Sequence, residues 1–168
     1  GASGVIVNDQ VSSGRFVAAL VDLYAQLAQM IVRDGEGVTK FVTVRVTGAA
    51  TSGDARLVAN AIATSPLVKT AFAGGDPNWG RIMMATGRSG ATLDQRRLAL
   101  WVGRPDAVPL QLVRDGTPTD YAEADAAAVF AGPEFVVQVD LGIGDGAATI
   151  WTTDLTHEYV TINADYRT

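Results

Sequence analysis

Residues 34–50, DGEGVTKFVTVRVTGAA, contain the end of a helix, a turn and a strand, and this order decides the fold class. Downstream of the turn, apolar and polar residues partly alternate across residues 39–48, which predicts a strand. Upstream, apolar residues recur at alternating spacings of four and three, which predicts an amphipathic helix that Ser12 or Ser13 can cap and that Gly35 ends. The apolar residues are Phe16, Leu20, Leu23, Leu27 and Met30.

Helical and extended segments alternate in the residues that follow. Thr51 or Ser52 can cap a second helix, which stops before Pro66 because the residue before a proline disfavours helical geometry. Residues 66–74 are short and apolar, and they are compatible with a strand or a helix. A turn rich in glycine, proline and asparagine then leads into a short helix near residues 81–86.

The C-terminal half contains mostly predicted strands. An alanine-rich helix is predicted between Thr119, its cap, and Gly132, its end. The predicted strands are 96–103, 108–116, a pair formed by 134–142 and 147–156 across GIGDG, and a short one in the tail, 158–168. Mixed elements with hairpin-like links indicate an α+β fold with largely antiparallel pairing, not a parallel nucleotide-binding sheet.

Length and composition indicate one domain and exclude several classes of site. The chain has 168 residues, 48% of them hydrophobic, and carries a net charge of −5 without a basic patch, which argues against nucleic acid as a partner. It has no cysteine and one histidine, which excludes disulfides, zinc–thiolate sites and cysteine nucleophiles. Residues 1–12 are predicted to be a linker or a truncated N-terminal segment, and residues 13–168 a single domain.

The most apolar stretch, residues 16–32, is predicted not to span a membrane because Asp22, Gln26 and Gln29 interrupt it. A positively charged leader is also missing. We therefore expect a cytoplasmic protein without a membrane partner, without a bound metal and without a cofactor.

Glu36 is the first candidate site residue. Because both neighbours are glycines, a ligand can approach this carboxylate closely, and the group can bind an ammonium or act as an acid or base. The alternative is a solvated turn residue. Lys40 can pair with Glu36 or Asp34, or it can be exposed.

Three further motifs have a structural as well as a functional interpretation. GGDPNWGR, residues 74–81, is either a rigid turn with a packed tryptophan or a ligand-binding loop in which Arg81 binds an anion. Residues 140–146 offer Asp140 and Asp145 for calcium, but they lack the spacing of a calcium loop and indicate a hairpin turn. His157 has no nucleophile motif beside it and is interpreted as a surface or structural histidine.

The tail, with Asn163 and Thr168, has enough apolar side chains to dock on the domain. Together with three other segments, it resembles the β-subunit of ornithine acetyltransferase, the bifunctional glutamate N-acetyltransferase of arginine biosynthesis. The segments are residues 34–50, the helix that follows, SPLVKTAFAGGDPNWGRI (65–82) and VDLGIGDGAATIWTTDLTHEYVTINADYRT (139–168). Residues 88–133 match in pattern only.

This resemblance implies a layered αββα sandwich and a precursor that cleaves itself before a threonine. The threonine becomes the nucleophile and carries acetyl from N-acetylornithine to glutamate; some members also use acetyl-CoA as the donor. The resemblance further implies that Glu36, Asn163 and Thr168 bind the amino-acid substrate. An α-subunit supplies the oxyanion hole and a substrate-binding lysine, and an α2β2 heterotetramer is the implied assembly.

The nucleophile's motif is missing from this chain, which begins GASG. We therefore interpret the chain as the C-terminal piece of the β-subunit, without a catalytic residue of its own. The alternatives are a paralogue acting on other N-acetyl amino acids in secondary metabolism, a non-catalytic interaction domain, and an aminopeptidase on a similar self-cleaving fold.

Overall fold

The computed structural model describes residues 13–165, which form one six-stranded sheet with six α-helices and a short 3-10 helix. The helices are α1 (Ser13–Arg33), α2 (Ser52–Ala63), α3 (Pro66–Gly74), α4 (Trp79–Gly87), α5 (Glu123–Phe130) and α6 (His157–Asp165). The strands are β1 (Phe41–Ala49), β2 (Ala99–Gly103), β3 (Leu110–Arg114), β4 (Thr117–Pro118), β5 (Glu134–Asp140) and β6 (Gly146–Thr153), and the 3-10 helix is Gln95–Arg97.

The sheet has the strand order β4-β3-β2-β5-β1-β6. Strands β1 and β5 are parallel, and every other neighbouring pair in this sheet is antiparallel. The predicted α+β class with largely antiparallel pairing is therefore confirmed. The single parallel pair lies inside the sheet, between β2 and β6.

The predicted pairing of residues 134–142 with 147–156 is wrong, because β1 lies between the two strands. Val44 of β1 is opposite Val137 of β5 on one side and Ile150 of β6 on the other. The connection between β5 and β6 crosses the end of β1, where the backbone N–H groups of Ile143 and Gly144 both donate to the carbonyl of Gly48. Local turn signals cannot reveal an inserted strand that is distant in sequence.

One face of the sheet carries the core. Every second residue of β1 and β5 is fully buried there, and α2 packs on this face. Three aromatic rings close the core beside α3 and α5: the Phe135 ring lies 4.8 Å from that of Phe130 and 5.3 Å from that of Phe72. This packing explains why residues 66–74, which the sequence leaves open, form a helix.

The opposite face of the sheet is only partly covered. The register places Thr43 beside Val136 and Trp151, and Arg45 beside Gln138, on that face. The residues that the structure describes form a single sheet, so the second sheet of the layered αββα arrangement has no strands among them. The sandwich architecture stays a prediction for the assembled protein.

Helix boundaries follow the caps that the folded chain offers. Thr51 caps α2 by accepting from the N–H of Asp54 at 3.0 Å, as predicted. Thr119 does not cap α5; its hydroxyl donates to the carbonyl of Gln111 at 2.6 Å and extends the β3–β4 pairing instead. The predicted cap of α1 at Ser12 or Ser13 lies outside the described side chains.

The predicted tail strand is also wrong, because residues 157–165 form helix α6. The Thr156 hydroxyl accepts a hydrogen bond from the N–H of Tyr159 at 3.2 Å and so caps the helix. Local capping therefore overrides the strand preference of Tyr159, Val160 and Ile162.

Helix α1 leaves most of its large apolar side chains in solvent, including Tyr24 at 61% and Ile31 at 75% exposure. By length and mean hydropathy alone, Gly14–Arg33 also qualifies as a membrane-spanning helix. The prediction that the chain meets no membrane stays a prediction. The C-terminal end of α1 is anchored, since Arg33 pairs with Glu134 at 2.8 Å and its guanidinium carbon lies 3.7 Å from the centre of the Phe41 ring.

Phe135→Ala is expected to lower the free energy of unfolding by about 3–5 kcal/mol, because it leaves a cavity between Phe72 and Phe130. Urea denaturation followed by circular dichroism measures the change. Val108→Ala is the matched control, since Val108 is 95% exposed and should change the value by less than about 0.5 kcal/mol. Equal losses in both variants would contradict this core.

Candidate functional site

The turn at residues 34–38 connects α1 to β1 and presents Glu36 to solvent. The Asp34 N–H donates to the carbonyl of Met30 at 3.0 Å, and the Val38 N–H donates to the carbonyl of Gly35 at 3.3 Å. Gly37 has a φ of 64°, in the left-handed region that favours glycine. The turn is therefore ordered, and Glu36 has a defined position at its tip.

Two of the three site residues expected from the sequence are in direct contact. The Asn163 amide donates to Glu36 Oε2 at 3.0 Å and to the carbonyl of Tyr159, one helical turn earlier, at 2.9 Å. The second bond holds the amide in place, so that it orients the carboxylate. Thr168, the third residue, lies outside the described residues.

Gly37 explains the second glycine of the GEG turn. A Cβ at this position would lie 2.6 Å from the backbone nitrogen of Tyr159. The Thr156 hydroxyl also donates to the Gly37 carbonyl at 2.7 Å. The clearance at Gly37 is thus used by helix α6 and not by a small ligand, which corrects the expectation that both glycines make room for a ligand.

Glu36 lines a cleft of about 550 Å³ between the turn, the junction of α2 and α3, and the end of β6. This volume is typical of small-molecule sites. Its polar lining includes Asn60, Lys69, Asp154 and Tyr159. The cleft therefore contains groups of both charges.

Asp154 organises the inner wall of this cleft. Its buried carboxylate accepts from the backbone N–H groups of Thr39 and Lys40 at 3.0 and 3.1 Å, and also from the Thr39 hydroxyl. These bonds fasten the end of β6 to the start of β1. They hold the chain just before α6 beside the turn that carries Glu36.

Lys40 is buried, so the predicted pairing with Glu36 or Asp34 is wrong, and so is the exposed alternative. Its ammonium donates to the carbonyls of Phe72 and Phe130, at 2.7 and 2.6 Å, near the C-terminal ends of α3 and α5. A cation is favourable there because helix C-termini carry partial negative charge. Burial lowers the pKa of Lys40, and the nearby Asp154 carboxylate opposes that shift.

Lys69 was missed as a site residue by sequence reasoning. Its ammonium is within hydrogen-bond distance of the hydroxyls of Thr153 and Thr152, at 3.2 and 3.4 Å. Burial lowers its pKa, with Asp154 again acting in the opposite direction. A signal was present in the composition: Lys40 and Lys69 are the only two lysines in a chain whose other basic side chains, apart from one histidine, are arginines.

The GGDPNWGR motif is a structural turn. Asn78 caps α4 by accepting from the N–H of Arg81 at 3.1 Å, and its amide donates to Asp76. Arg81 donates to the carbonyl of Leu67 at 2.9 Å and so connects α4 to α3. Trp79 packs against the core. These contacts favour the rigid-turn interpretation over a ligand-binding loop.

The remaining candidates have structural or surface positions. The Asp140 carboxylate accepts from the Gly142 N–H and from the Thr47 hydroxyl, at 2.7 and 3.1 Å. His157, the first residue of α6, is exposed. Within residues 13–165, no group of three potential ligand side chains is arranged to hold a metal.

Gly37→Ala is expected to displace α6 from the turn, because the new Cβ overlaps backbone atoms of Tyr159 and the glycine has a positive φ. Hydrogen exchange should increase in residues 157–165, and the contact between Asn163 and Glu36 should be lost. Gly87→Ala is the matched control, since nothing lies within 4 Å of a Cβ there. Unchanged exchange in the Gly37 variant would contradict the docked position of α6.

Comparison with known proteins gives consistent matches over the whole chain. The ArgJ family pattern matches residues 1–168. The chain is 52% identical to the "Arginine biosynthesis bifunctional protein ArgJ" of Ruegeria pomeroyi, over 99% of this chain and 39% of that protein. It is 48% identical to the protein of Schizosaccharomyces pombe with the same name, described as mitochondrial, over 89% of this chain and 34% of that protein.

A solved structure gives the same match in three dimensions. The crystal structure of the ArgJ protein from Bacillus halodurans superimposes with a TM-score of 0.89 at 39% identity, covering 98% of this chain and 78% of the solved one. The present chain spans about two fifths of the length of the curated relatives it matches. The chain belongs to the ArgJ family.

Proposed function

We propose that this chain is the C-terminal part of the β-subunit of an ornithine acetyltransferase, which transfers acetyl from N-acetylornithine to glutamate in arginine biosynthesis. The contact between Glu36 and Asn163 is the main structural support. Two residues that are 127 positions apart, and that the family resemblance assigns to substrate binding, are in contact, and one of them, Glu36, lines a cleft of the size of a small-molecule site.

The proposed chemistry proceeds through an acyl-threonine in two half-reactions. The threonine hydroxyl attacks the acetyl carbonyl of N-acetylornithine, an ester forms, and ornithine leaves with the proton on its amine. The amine of glutamate then attacks the ester, which releases N-acetylglutamate and regenerates the hydroxyl. The nucleophilic threonine and the oxyanion hole belong to segments outside this chain.

The lengths of the relatives support a cleaved precursor. This chain covers 39% of the curated Ruegeria protein but 78% of the solved Bacillus chain, so the solved chain is about half as long as that relative. A cut near the middle of a precursor would give such a ratio. The nucleophile would then be the first residue of the C-terminal product.

Within this scheme, Glu36 binds an ammonium group of the substrate, and Asn163 holds the carboxylate in position while its amide contacts the ligand. An ionic hydrogen bond of this kind stabilises a bound ligand by about 1.5–3 kcal/mol. Thr168 is proposed to complete the substrate-binding residues from the tail.

The proposed partners are the α-subunit and the remainder of the β-subunit, in an α2β2 heterotetramer. The exposed apolar side chains of α1 and the partly covered face of the sheet offer surface for such partners. No cofactor is proposed, and acetyl-CoA can serve as an alternative acetyl donor. We propose a cytoplasmic location, although the Schizosaccharomyces relative is described as mitochondrial.

Two other functions are compatible with the same family. A paralogue would transfer acetyl between other N-acetyl amino acids, and a non-catalytic interaction domain would keep the fold without a nucleophile. Substrate profiling identifies the first, and a missing threonine at the cleavage junction identifies the second.

Glu36→Gln in the complete enzyme is expected to lower kcat/KM for N-acetylornithine about 10- to 100-fold, because the substrate ammonium loses its ionic partner. Steady-state kinetics with glutamate as acceptor measures this effect. Glu158→Gln, an exposed glutamate on α6, is the matched control and should remain at the wild-type value. Wild-type KM and kcat in the Glu36 variant would refute its role in substrate binding.

Intact-mass and N-terminal analysis of all chains that co-purify with this one is expected to find a chain that begins with threonine. This chain by itself is expected to transfer no acetyl, because the nucleophile lies elsewhere. Measurable transfer by the isolated chain, or an assembly without such a threonine, would contradict the proposed mechanism.

A further inference from the structure

One hydroxyl group connects helix α6 to the turn that carries Glu36. The Thr156 hydroxyl donates to the carbonyl of Gly37 at 2.7 Å and accepts from the N–H of Tyr159 at 3.2 Å. An ordinary helix N-cap uses only the oxygen of such a side chain, as an acceptor. Here the proton also reaches a residue 119 positions away in the sequence. The cap of the helix and the turn therefore share one side chain.

These two hydrogen bonds belong to a closed ring of four. The carbonyl of Tyr159 accepts from the Asn163 amide at 2.9 Å, and the same amide donates to Glu36 Oε2 at 3.0 Å. Because Glu36 and Gly37 are adjacent, the ring leaves the turn at one residue and returns to it at the next. It therefore sets both the distance and the direction between the Glu36 carboxylate and the Asn163 amide.

The bond from Thr156 to the turn is better protected than the contact that it supports. The bond between Asn163 and Glu36 is exposed to solvent, whereas the bond between Thr156 and Gly37 is partly buried. Within residues 157–165 of α6, no side chain is buried, so the helix does not anchor itself in the core. An exposed hydrogen bond stabilises a contact only weakly, since water competes for both groups. The order of the exposed contact therefore depends on the start of the helix.

Close packing alone would explain the position of α6 less well. Gly37 leaves room for the backbone of Tyr159, but it has no side chain that could hold the helix there. Asp154 fastens the chain two residues before Thr156, but it does so on the strand side of the turn, at the start of β1. Across the part of the chain that the structure describes, only Thr156 and Asn163 form hydrogen bonds between α6, with its cap, and the turn at residues 34–38.

We propose that Thr156 is a positioning residue for the substrate-binding pair Glu36 and Asn163, and that its hydroxyl holds the two groups in the geometry that the amino-acid substrate meets. The inference rests on the proposed function, which gives Glu36 and Asn163 their role. A pair that is held in place before the ligand arrives loses less conformational freedom on binding, which raises the affinity. Thr156 acts through these two residues and does not itself contact the substrate.

The first test measures the coupling without turnover, by amide hydrogen exchange in the assembled protein. Thr156→Val keeps the shape of the side chain and removes its hydroxyl, so exchange should become about tenfold faster in residues 34–38 as well as in residues 157–165. Thr156→Ser keeps the hydroxyl and should exchange nearly as the wild type does.

Thr161→Val is the matched control for the exchange experiment. It removes a hydroxyl of α6 that donates within the helix, to the carbonyl of His157 at 3.2 Å. Exchange in residues 34–38 should therefore remain at the wild-type rate. Unchanged exchange of the turn in Thr156→Val, or equally fast exchange in Thr156→Ser, would overturn the proposal.

The second test measures the effect on the substrate in the complete enzyme. Thr156→Val is expected to lower kcat/KM for N-acetylornithine about tenfold, and Thr156→Ser should restore most of it. In a Glu36→Ala background, Thr156→Val should cost about twofold or less, because the carboxylate that it positions is already missing. A general loss of folding would instead cost the same factor in both backgrounds.

Equal factors in the two backgrounds, or wild-type kinetics in Thr156→Val, would contradict the positioning role. If the wild-type assembly transfers no acetyl from N-acetylornithine to glutamate, the proposed function fails instead. The exchange experiment then still decides whether Thr156 couples the turn to α6. The two failures are therefore distinguishable.

Discussion

The backbone pairing of β1 with β5 on one side and β6 on the other positions every part of the candidate site. Strand β1 starts directly after the turn that carries Glu36, and the end of β6 lies beside that start. Asp154 fastens the two ends together through the N–H groups of Thr39 and Lys40. Because α6 follows within a few residues, the same attachment brings Asn163 to Glu36. If this pairing slipped by one residue, the side chains of β1 would exchange faces and the core would be lost.

The cleft combines a rigid inner wall with a charged lining. Lys40 lies under the wall and connects the ends of two helices to the start of β1. Lys69 and Glu36 place opposite charges in the same small volume, an arrangement suited to a ligand that itself carries both charges. The carboxylate of Asp154 accepts from main-chain donors and also interacts electrostatically with both lysines.

Local signals predicted some elements and failed for others, for physical reasons. The helix capped by Thr51 and the strand that starts near Phe41 depend on short-range capping and on alternation, and both are present. Glu36 and Asn163 were identified through the resemblance, but their contact was not, because no pattern encodes a distance between residues so far apart. The inserted β1 depends on partners elsewhere in the chain, and the helical tail depends on the cap that Thr156 provides, so β propensity gave the wrong answer for both.

By itself, the sequence determined the α+β class, the family, and the identity of Glu36 and Asn163 as candidate residues, since these depend on residue order, on caps and on unusual motifs. The tertiary structure alone decided that Lys40 is buried, that Gly37 makes room for α6, and that Lys69 lines the same cleft as Glu36. Whether a side chain is buried, and how many hydrogen-bond acceptors surround a cation, is decided only when distant segments pack together. The charge balance of the site was therefore set by folding and could not be read from the order of residues.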